Sequence, residues 1–331
     1  MKCINKKYLV LFASILLTSS LLCACSFLGA SQPEDLGIAK YESNNYTQLS
    51  YRASLYAESL CVTNEDVTHT SFAPSEALTR VGLFDLANSE VLYAKDIHQS
   101  LYPASTTKVM TALIALEYGN LDDVVTISST AASANFHANE QVSGLREGEQ
   151  VSLRDLLYGL VLYSGNDTAV AIAEHISGDV PSFSELMNQK AKEIFATHTR
   201  YVNPHGLHDD DQYTTLYDLY LIFNEAIKNE TFMDIIAQST YSMTLTDGSG
   251  NTREIPCDAT NYYSSGQVEQ PSAATVIGGK TGTTREAGSC VILYALDAQN
   301  NPYISIVMNA SSRTVLYKDM TNLIHSITTV E

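Results

Sequence analysis

A long apolar run about one third of the way along the chain requires a buried helix around which the rest must pack. The run covers residues 109–116 and consists mainly of good helix formers, with Gly119 as a stop signal shortly after it. Pro103 and a series of small polar residues precede the run, which is typical of a helix N-terminus. The sequence therefore predicts that Ser105 lies in the first turn of a helix that is buried along most of its length.

Ser105 and Lys108 are three residues apart, so on a helix the lysine amine reaches the serine hydroxyl. A serine hydroxyl is a weak nucleophile until a base removes its proton. A lysine amine acts as that base only in its neutral form, which burial and nearby positive charge favour. The pair is a candidate nucleophile and base, although the same spacing also occurs on many solvated helices.

Two other segments contain residues that are unusual within a regular element: a polar break between two helices, and glycines within a strand. Ser152 is a helix N-cap for residues 153–163, and this helix breaks at Ser164 before a second one follows over residues 168–176. Taken alone, the break is an ordinary corner between two helices. A β-branched strand over residues 274–284 contains glycines, which indicates a close approach to its backbone.

Strands are predicted at both ends of the folded part of the chain, with helices between them. A hairpin is predicted over residues 81–94, and a final helix over residues 315–327 follows the last strands. The C-terminal strands cover residues 274–284, 290–296 and 303–309. This order predicts an α/β protein of the α+β type, in which one mostly antiparallel sheet from both chain ends is flanked by helices, with a mainly helical subdomain.

The N-terminus has the pattern of a secretory signal. A basic start is followed by an apolar stretch over residues 8–22 and then by small residues. The segment is too short for a stable membrane span, and an uncleaved anchor is the alternative. Residues 22–25 resemble a bacterial lipobox, in which Cys25 would carry the lipid and become the first residue. We expect the protein to leave the cytosol for the cell envelope, anchored at Cys25 or otherwise secreted.

The charge balance argues against nucleic acid as a partner. The formal net charge is −18, and it becomes −21 when the three lysines of the signal are removed. A chain this acidic is repelled by phosphate groups, and no basic stripe compensates for the repulsion.

Neither a metal site nor a disulfide scaffold is expected. His205 and His208 precede three aspartates, but such a group in a turn is usually a solvated loop, and no third ligand is evident. Four cysteines remain after removal of the signal, too few for a scaffold in a domain of this size. A bond between Cys257 and Cys290 stays open on sequence grounds.

Three short motifs occur along the chain in a fixed order, at a helix start, in a turn between helices and in a strand. They are Ser105-x-x-Lys108, Ser164-Gly165-Asn166 and Lys280-Thr281-Gly282. Together they match the signature of penicillin-binding proteins and class A β-lactamases. Over residues 73–328 the chain resembles the D-alanyl-D-alanine carboxypeptidases, which are low-molecular-weight penicillin-binding proteins with a β-lactamase/DD-peptidase-like fold. It differs at Thr283, where many relatives have histidine.

The resemblance implies a reaction on a peptidoglycan stem peptide that ends in D-Ala-D-Ala. Ser105 would attack the carbonyl of the penultimate D-alanine to form an acyl-enzyme, and Lys108 would take its proton. Ser164 would relay that proton to the leaving D-alanine, and Asn166 would orient Lys108 and hold the substrate amide. Water would then release the product, with no metal or organic cofactor, and β-lactam antibiotics would acylate the same serine.

The third motif would hold the end of the substrate. Lys280, with the hydroxyls of Thr281 and Thr283, would bind the terminal carboxylate and so restrict cleavage to chain ends. Gly282 lies between these two threonines in the substrate-binding strand. The N–H groups of Ser105 and Thr283 would form the oxyanion hole.

Two other functions remain open alongside the carboxypeptidase. A β-lactamase would need a glutamate that activates water, and Glu185 is the nearest candidate, although its helical spacing indicates a solvated face. A penicillin-binding sensor without catalysis is the other, but such a module has no need of Lys108 or Ser164.

The chain divides into three predicted parts. Residues 1–24 are the signal peptide, and residues 25–72 are a lipid-anchored polar spacer that holds the folded part off a membrane. Residues 73–328 are the catalytic domain. Longer relatives add a β-rich domain, and we expect none after residue 328.

Overall fold

The computed structural model describes residues 59–68 and 70–329. The predicted signal peptide, Cys25 and most of the predicted spacer lie outside these residues. The strands are β1 (Val67–Thr68), β2 (Arg80–Asp85), β3 (Glu90–Lys95), β4 (Val124–Thr126), β5 (Gln150–Ser152), β6 (Thr240–Thr246), β7 (Thr252–Asp258), β8 (Ala274–Thr284), β9 (Gly288–Asp297) and β10 (Pro302–Ala310). The helices are α1 (Lys108–Tyr118), α2 (Leu153–Tyr158), α3 (Asn166–Ser177), α4 (Val180–Glu193), α5 (Leu216–Ala226), α6 (Glu230–Ile236) and α7 (Arg313–His325).

The larger sheet joins the two ends of the folded chain. Its strand order is β1-β3-β2-β10-β9-β8, so the N-terminal hairpin of β2 and β3 lies beside the C-terminal strand β10. The neighbouring strands are antiparallel, and the register of β2 on β10 sets Leu83 opposite Ser305. The prediction of one mostly antiparallel sheet assembled from both chain ends is confirmed.

Both faces of this sheet are buried, because its strands alternate between two apolar clusters. In β9, Ile292 belongs to the cluster on the helical side, whereas Val291 and Leu293 belong to the cluster beneath α7. Successive strand residues point to opposite faces, so a continuous apolar strand fits a sheet that is covered on both sides. One face lies under α7, and α5 packs against β2 and β10 on the other.

The central helix α1 runs through the helical part of the molecule. A 3₁₀ turn, Ala104–Thr107, leads into it, and its residues from Lys108 to Ala115 are all buried. Gly119 is its C-cap, as its position after the apolar run predicts. Within the described part of the chain, no helix combines the length and the apolar character that crossing a membrane requires.

A second sheet, of order β4-β5-β6-β7, has no counterpart among the predicted elements. Its strands β4 and β5 have only three residues each. In β6, Met243 and Leu245 are buried, while their neighbours are exposed or half-buried Ser, Thr and Tyr. Strands of three residues are too short to show a periodicity, and the short alternation in β6 was not recognised as a strand.

Part of the predicted spacer lies against the folded domain. Strand β1 pairs with β3, and Cys61 is completely buried with its thiol 3.2 Å from the carbonyl oxygen of Asp85. Residues of the predicted spacer therefore already belong to the folded domain, which begins before residue 72. The limits of the signal peptide and of the anchored segment stay predictions.

Cys257 and Cys290 are separate thiols, so the disulfide left open by the sequence is not formed. Both side chains are buried. Burial raises the pKa of each thiol to about 12, which keeps both in the unreactive protonated form at neutral pH.

Candidate active site

Lys108 connects the first two motifs, which are far apart in sequence. Its side chain is completely buried at the start of α1. Its Nζ lies 3.0 Å from Ser105 Oγ, 2.8 Å from Asn166 Oδ1 and 2.7 Å from the carbonyl oxygen of His205. The reach from Lys108 to Ser105 follows from one helical turn, whereas the other two contacts depend on how α3 and the 203–207 turn pack against α1.

The three partners of Lys108 define the form in which its amine can act as a base. A neutral amine has two N–H donors and one lone pair. The carbonyl oxygens of Asn166 and His205 can only accept hydrogen bonds, so together they take both donors. The lone pair is then left for the hydroxyl of Ser105, which can donate its proton along the 3.0 Å contact.

The electrostatic surroundings favour this neutral form. Burial, and after it the positive charge of Lys280, lower the pKa of Lys108 well below its ordinary value, and the carboxylate of Asp167 opposes them. Burial also lowers the pKa of Lys280, to about 7. The charge of a protonated Lys280 favours the neutral, basic form of Lys108, and the same charge can attract a carboxylate.

Ser164 faces Lys280 because the chain changes direction at this serine. The Lys280 amine donates to Ser164 Oγ at 2.9 Å and to the carbonyl oxygen of Thr281 at 3.0 Å. Helix α2 continues as a π-helical turn, Gly159–Tyr163, and Ser164 then takes the left-handed conformation with φ 70°. This conformation is costly for a residue with a side chain and is often found at functional sites. The predicted break between two helices is confirmed, and it holds the Ser164 hydroxyl in place.

Strand β8 forms one wall of the site. It is the last strand in the sheet order, so its outer edge has no neighbouring strand among the described residues. A Cβ on Gly282 would lie 2.9 Å from the backbone nitrogen of Ser105 and 3.1 Å from that of Thr106. Only glycine lets the strand lie this close to the backbone of the candidate nucleophile, as the glycines in this strand indicated.

A second glycine holds the turn that carries Ser105 from the other side. Ala104 is in the left-handed region with φ 48°, a strained conformation for alanine. Gly206, with φ 87°, lies against it, and a Cβ there would be 1.9 Å from the carbonyl oxygen of Ala104. The 203–207 turn thus supports the serine as well as supplying the carbonyl that Lys108 contacts.

Asp167 anchors the loop on the opposite wall, which we call loop 139–145. The side chain of Asp167 is completely buried, next to Asn166 in the chain. It accepts five hydrogen bonds of 2.7–3.1 Å from the described residues, from Ser133 Oγ and from the N–H groups of Ser143, Gly144, Leu145 and Thr168. The N–H of Asn166 donates to the carbonyl of Gln141 at 2.8 Å, which ties the loop directly to the second motif.

Comparison with known proteins places this arrangement in a family. Residues 68–312 match the family model described as D-alanyl-D-alanine carboxypeptidase. The chain belongs to this family. It is 32% identical over 270 residues to the D-alanyl-D-alanine carboxypeptidase DacA of Haemophilus influenzae, an alignment that covers 79% of this chain and 65% of that protein. It is 36% identical over 188 residues to DacF of Bacillus subtilis, covering 53% of this chain and 47% of that protein.

A solved member of the wider group has the same fold. The crystal structure of a Streptomyces DD-transpeptidase matches with a TM-score of 0.68 at 27% identity, over 81% of this chain and 100% of that one. The predicted β-lactamase/DD-peptidase-like fold is therefore confirmed. The chain spans about half to two thirds of the length of the curated carboxypeptidases named above.

The motifs of this carboxypeptidase family member meet at one cavity of about 280 Å³. Its lining includes the motif residues Ser105, Ser164, Asn166, Thr281, Gly282 and Thr283. Lys108 and Lys280 lie beneath it, fully buried. The cavity thus brings together the predicted catalytic and substrate-binding residues, and the predicted lipidation residue Cys25 is not among the described residues.

Sequence reasoning missed several groups at the cavity. Thr260 lines it, with its hydroxyl 2.6 Å from that of Thr281, and Arg313 lines it from the start of α7. Glu140, in loop 139–145, lines the opposite wall. The carbonyl of His205 had no sequence signal, because every residue has one. The position of Asp167 directly after the Ser-Gly-Asn motif was the one signal available.

Glu185, the sequence's candidate for the glutamate that a β-lactamase would need, does not line the cavity. Glu185 lies on α4 with its side chain exposed, and it does not line the site. The expectation of a solvated helix face at this position is confirmed.

Proposed function

We propose that this protein is a serine-type D-alanyl-D-alanine carboxypeptidase that removes the terminal D-alanine from peptidoglycan stem pentapeptides. The observation that carries the proposal is the position of the buried Lys108 amine, held between two carbonyl oxygens with its third contact to Ser105 Oγ. Membership of the carboxypeptidase family supports the same activity. Cell-wall peptides outside the cytoplasm are the corresponding substrates.

The proposed reaction starts with transfer of the Ser105 hydroxyl proton to Lys108, as the oxygen attacks the carbonyl of the penultimate D-alanine. The N–H groups of Ser105 and Thr283 would stabilise the negative oxygen of the tetrahedral intermediate. The proton then passes to the leaving amine through Ser164, whose hydroxyl already accepts a hydrogen bond from Lys280. Collapse of the intermediate breaks the peptide bond and leaves an ester on Ser105.

The second half of the reaction returns the enzyme to its starting state. Once D-alanine has left, a water molecule takes its place beside Lys108, which accepts the water proton as the oxygen attacks the ester. The C–O bond to Ser105 then breaks, and the serine oxygen regains a proton from Lys108. The products are D-alanine and a stem peptide shortened by one residue.

The terminal carboxylate of the substrate would bind on the β8 side of the cavity. Lys280 is a buried amine at this strand, and a bound carboxylate would raise its pKa above about 7. Thr281 and Thr283 line the cavity from β8, and Arg313 lines it from the start of α7. The open edge of β8 can also pair with an extended peptide, because such edges accept an added strand.

This proposal predicts different outcomes for a pentapeptide and for penicillin. D-alanine diffuses away after acylation, whereas the opened β-lactam keeps its amine attached and blocks the path of water. We expect repeated D-alanine release from a pentapeptide and a long-lived penicilloyl adduct, measured on one preparation. Glu185→Gln is the control and should change neither rate. Fast penicillin hydrolysis that is lost in Glu185→Gln, with no D-alanine release, would instead establish a β-lactamase.

We further propose that the protein is a lipoprotein of the cell envelope, with the lipid on Cys25. The basic and apolar N-terminus and the lipobox-like residues 22–25 support this location. The polar segment that follows Cys25 would act as a spacer between the membrane and the catalytic domain, whose sheet already includes Val67–Thr68. Two or three acyl chains hold a protein on a membrane stably, whereas one does so only marginally.

Membrane fractionation tests this location. We expect the native protein in the membrane fraction, and Cys25→Ser should release it or leave it unprocessed. Cys23→Ser is the matched control and should not change the distribution. Native protein found free in the medium, with an N-terminus beyond Ala30, would show ordinary signal cleavage and contradict the lipid anchor.

A further inference from the structure

The charge distribution of the cavity is asymmetric. Of its lining residues, Glu140 and Arg313 are the ones with charged side chains, and they come from different walls. Arg313 begins α7, with its guanidinium 3.1 Å from the hydroxyl of Tyr262. Glu140 belongs to loop 139–145, on the side of Asn166. The cavity thus carries one positive and one negative side chain, on separate segments of the chain.

Glu140 is held in a fixed position without a cation of its own. Its Oε2 accepts a hydrogen bond from the N–H of His137 at 3.0 Å, and its N–H donates to the carbonyl of the same residue at 2.9 Å. The side chain is half-buried. No Lys, Arg or His within the described ranges forms an ion pair with it. The carboxylate thus presents an uncompensated negative charge at the cavity wall.

The segment around Glu140 is rigid, because it is tied down on both sides. Asp167 binds the three backbone N–H groups at the end of loop 139–145, and the N–H of Asn166 binds the carbonyl of Gln141. On the outer side, Arg253 donates to the carbonyl of Gly144 at 2.7 Å. A charge on a rigid wall discriminates between ligands better than one on a mobile side chain, since less entropy is lost on binding.

The direction of the bound peptide decides which side chain meets Glu140. With the terminal carboxylate on the β8 side and the reacting carbonyl at Ser105, the preceding residues extend past Asn166 towards loop 139–145. The two D-alanines carry only methyl groups. The first long side chain on this path is therefore that of the third residue of the stem peptide.

We propose that Glu140 is a specificity-determining residue that selects stem peptides whose third residue ends in a protonated amine. The proposal rests on the carboxypeptidase function and on its direction of substrate binding. An ammonium group near Glu140 gains a charge-assisted hydrogen bond, whereas a neutral or acidic end of the same length gains none. Glu140 does not take part in the chemical step.

Two substrates and two variants test the proposal. The substrates are peptides ending in L-lysyl-D-Ala-D-Ala and in Nε-acetyl-L-lysyl-D-Ala-D-Ala, with D-alanine release as the measurement. We expect the wild-type kcat/KM to be about fivefold higher for the lysine peptide, the size of a half-exposed charge pair. Glu140→Gln should remove this preference by lowering only the lysine value. It keeps an acceptor oxygen for His137, so the loop stays in place.

Glu147→Gln is the matched control, because Glu147 is an exposed acid on the same connection that does not line the cavity. It should keep the wild-type preference. Equal loss for both peptides in Glu140→Gln, or no wild-type preference at all, would overturn the proposal while leaving the carboxypeptidase activity intact. Absence of D-alanine release from both peptides would overturn the proposed function itself, and this specificity with it.

Discussion

Ser105→Ala should abolish covalent labelling by a fluorescent penicillin, and Lys108→Ala should slow acylation by at least about a thousandfold. The serine oxygen forms the bond, and the lysine is the group placed to take its proton. The measurement is in-gel fluorescence over time, with intact mass after digestion to locate the adduct on the peptide that contains Ser105. We expect both variants to fold, because Ser105→Ala removes one oxygen atom, and the two carbonyl oxygens that Lys108→Ala leaves unpaired cost about 1–3 kcal/mol each, less than the stability of a typical domain.

Lys190→Ala serves as the control for loss of a lysine. Lys190 pairs with Glu117 near the surface of the helical part, away from the cavity. Its labelling rate should equal that of the wild type. If Ser105→Ala is still labelled, the nucleophile is another residue. If Lys108→Ala is acylated at the wild-type rate, the base has been assigned wrongly.

Asp167→Asn should destabilise the protein by about 3 kcal/mol and slow acylation of the folded fraction about tenfold. The buried carboxylate accepts hydrogen bonds from four backbone N–H groups. In Asp167→Asn the NH₂ of the side-chain amide would face some of these N–H groups, and two donors cannot form a hydrogen bond. Loop 139–145 would then move, and Asn166 with it, since the N–H of Asn166 is bonded to that loop. The free energy of unfolding from urea titration and the penicillin acylation rate measure the two effects.

Asp297→Asn separates the effect on the site from the effect on stability. Asp297 also accepts backbone N–H groups, from Gln299 and Asn301, but it does so in the turn between β9 and β10. This variant should lose stability and keep the wild-type acylation rate. The positioning role of Asp167 is wrong if both variants acylate at the same rate when corrected for the folded fraction.

The parts of the fold that follow from short-range patterns were predictable. The buried helix α1 and the hairpin of β2 and β3 depend on apolar periodicity and on nearby turn residues, so the chain displays them locally. The break at Ser164 was visible for the same reason. The hairpin of β6 and β7 was not predicted, because its alternation of apolar and polar residues covers only a few positions in each strand.

By itself, the sequence determined the contact between Ser105 and Lys108, because three residues in a helical turn bring two side chains together whatever surrounds them. It also determined the family through the order of three motifs. Only the tertiary structure decided that Asn166 and the carbonyl of His205 take the two donors of Lys108. It likewise decided that burial and the charge of Lys280 lower the pKa of the Lys108 amine. Desolvation and long-range packing arise only in the folded chain, so no local sequence pattern reveals them.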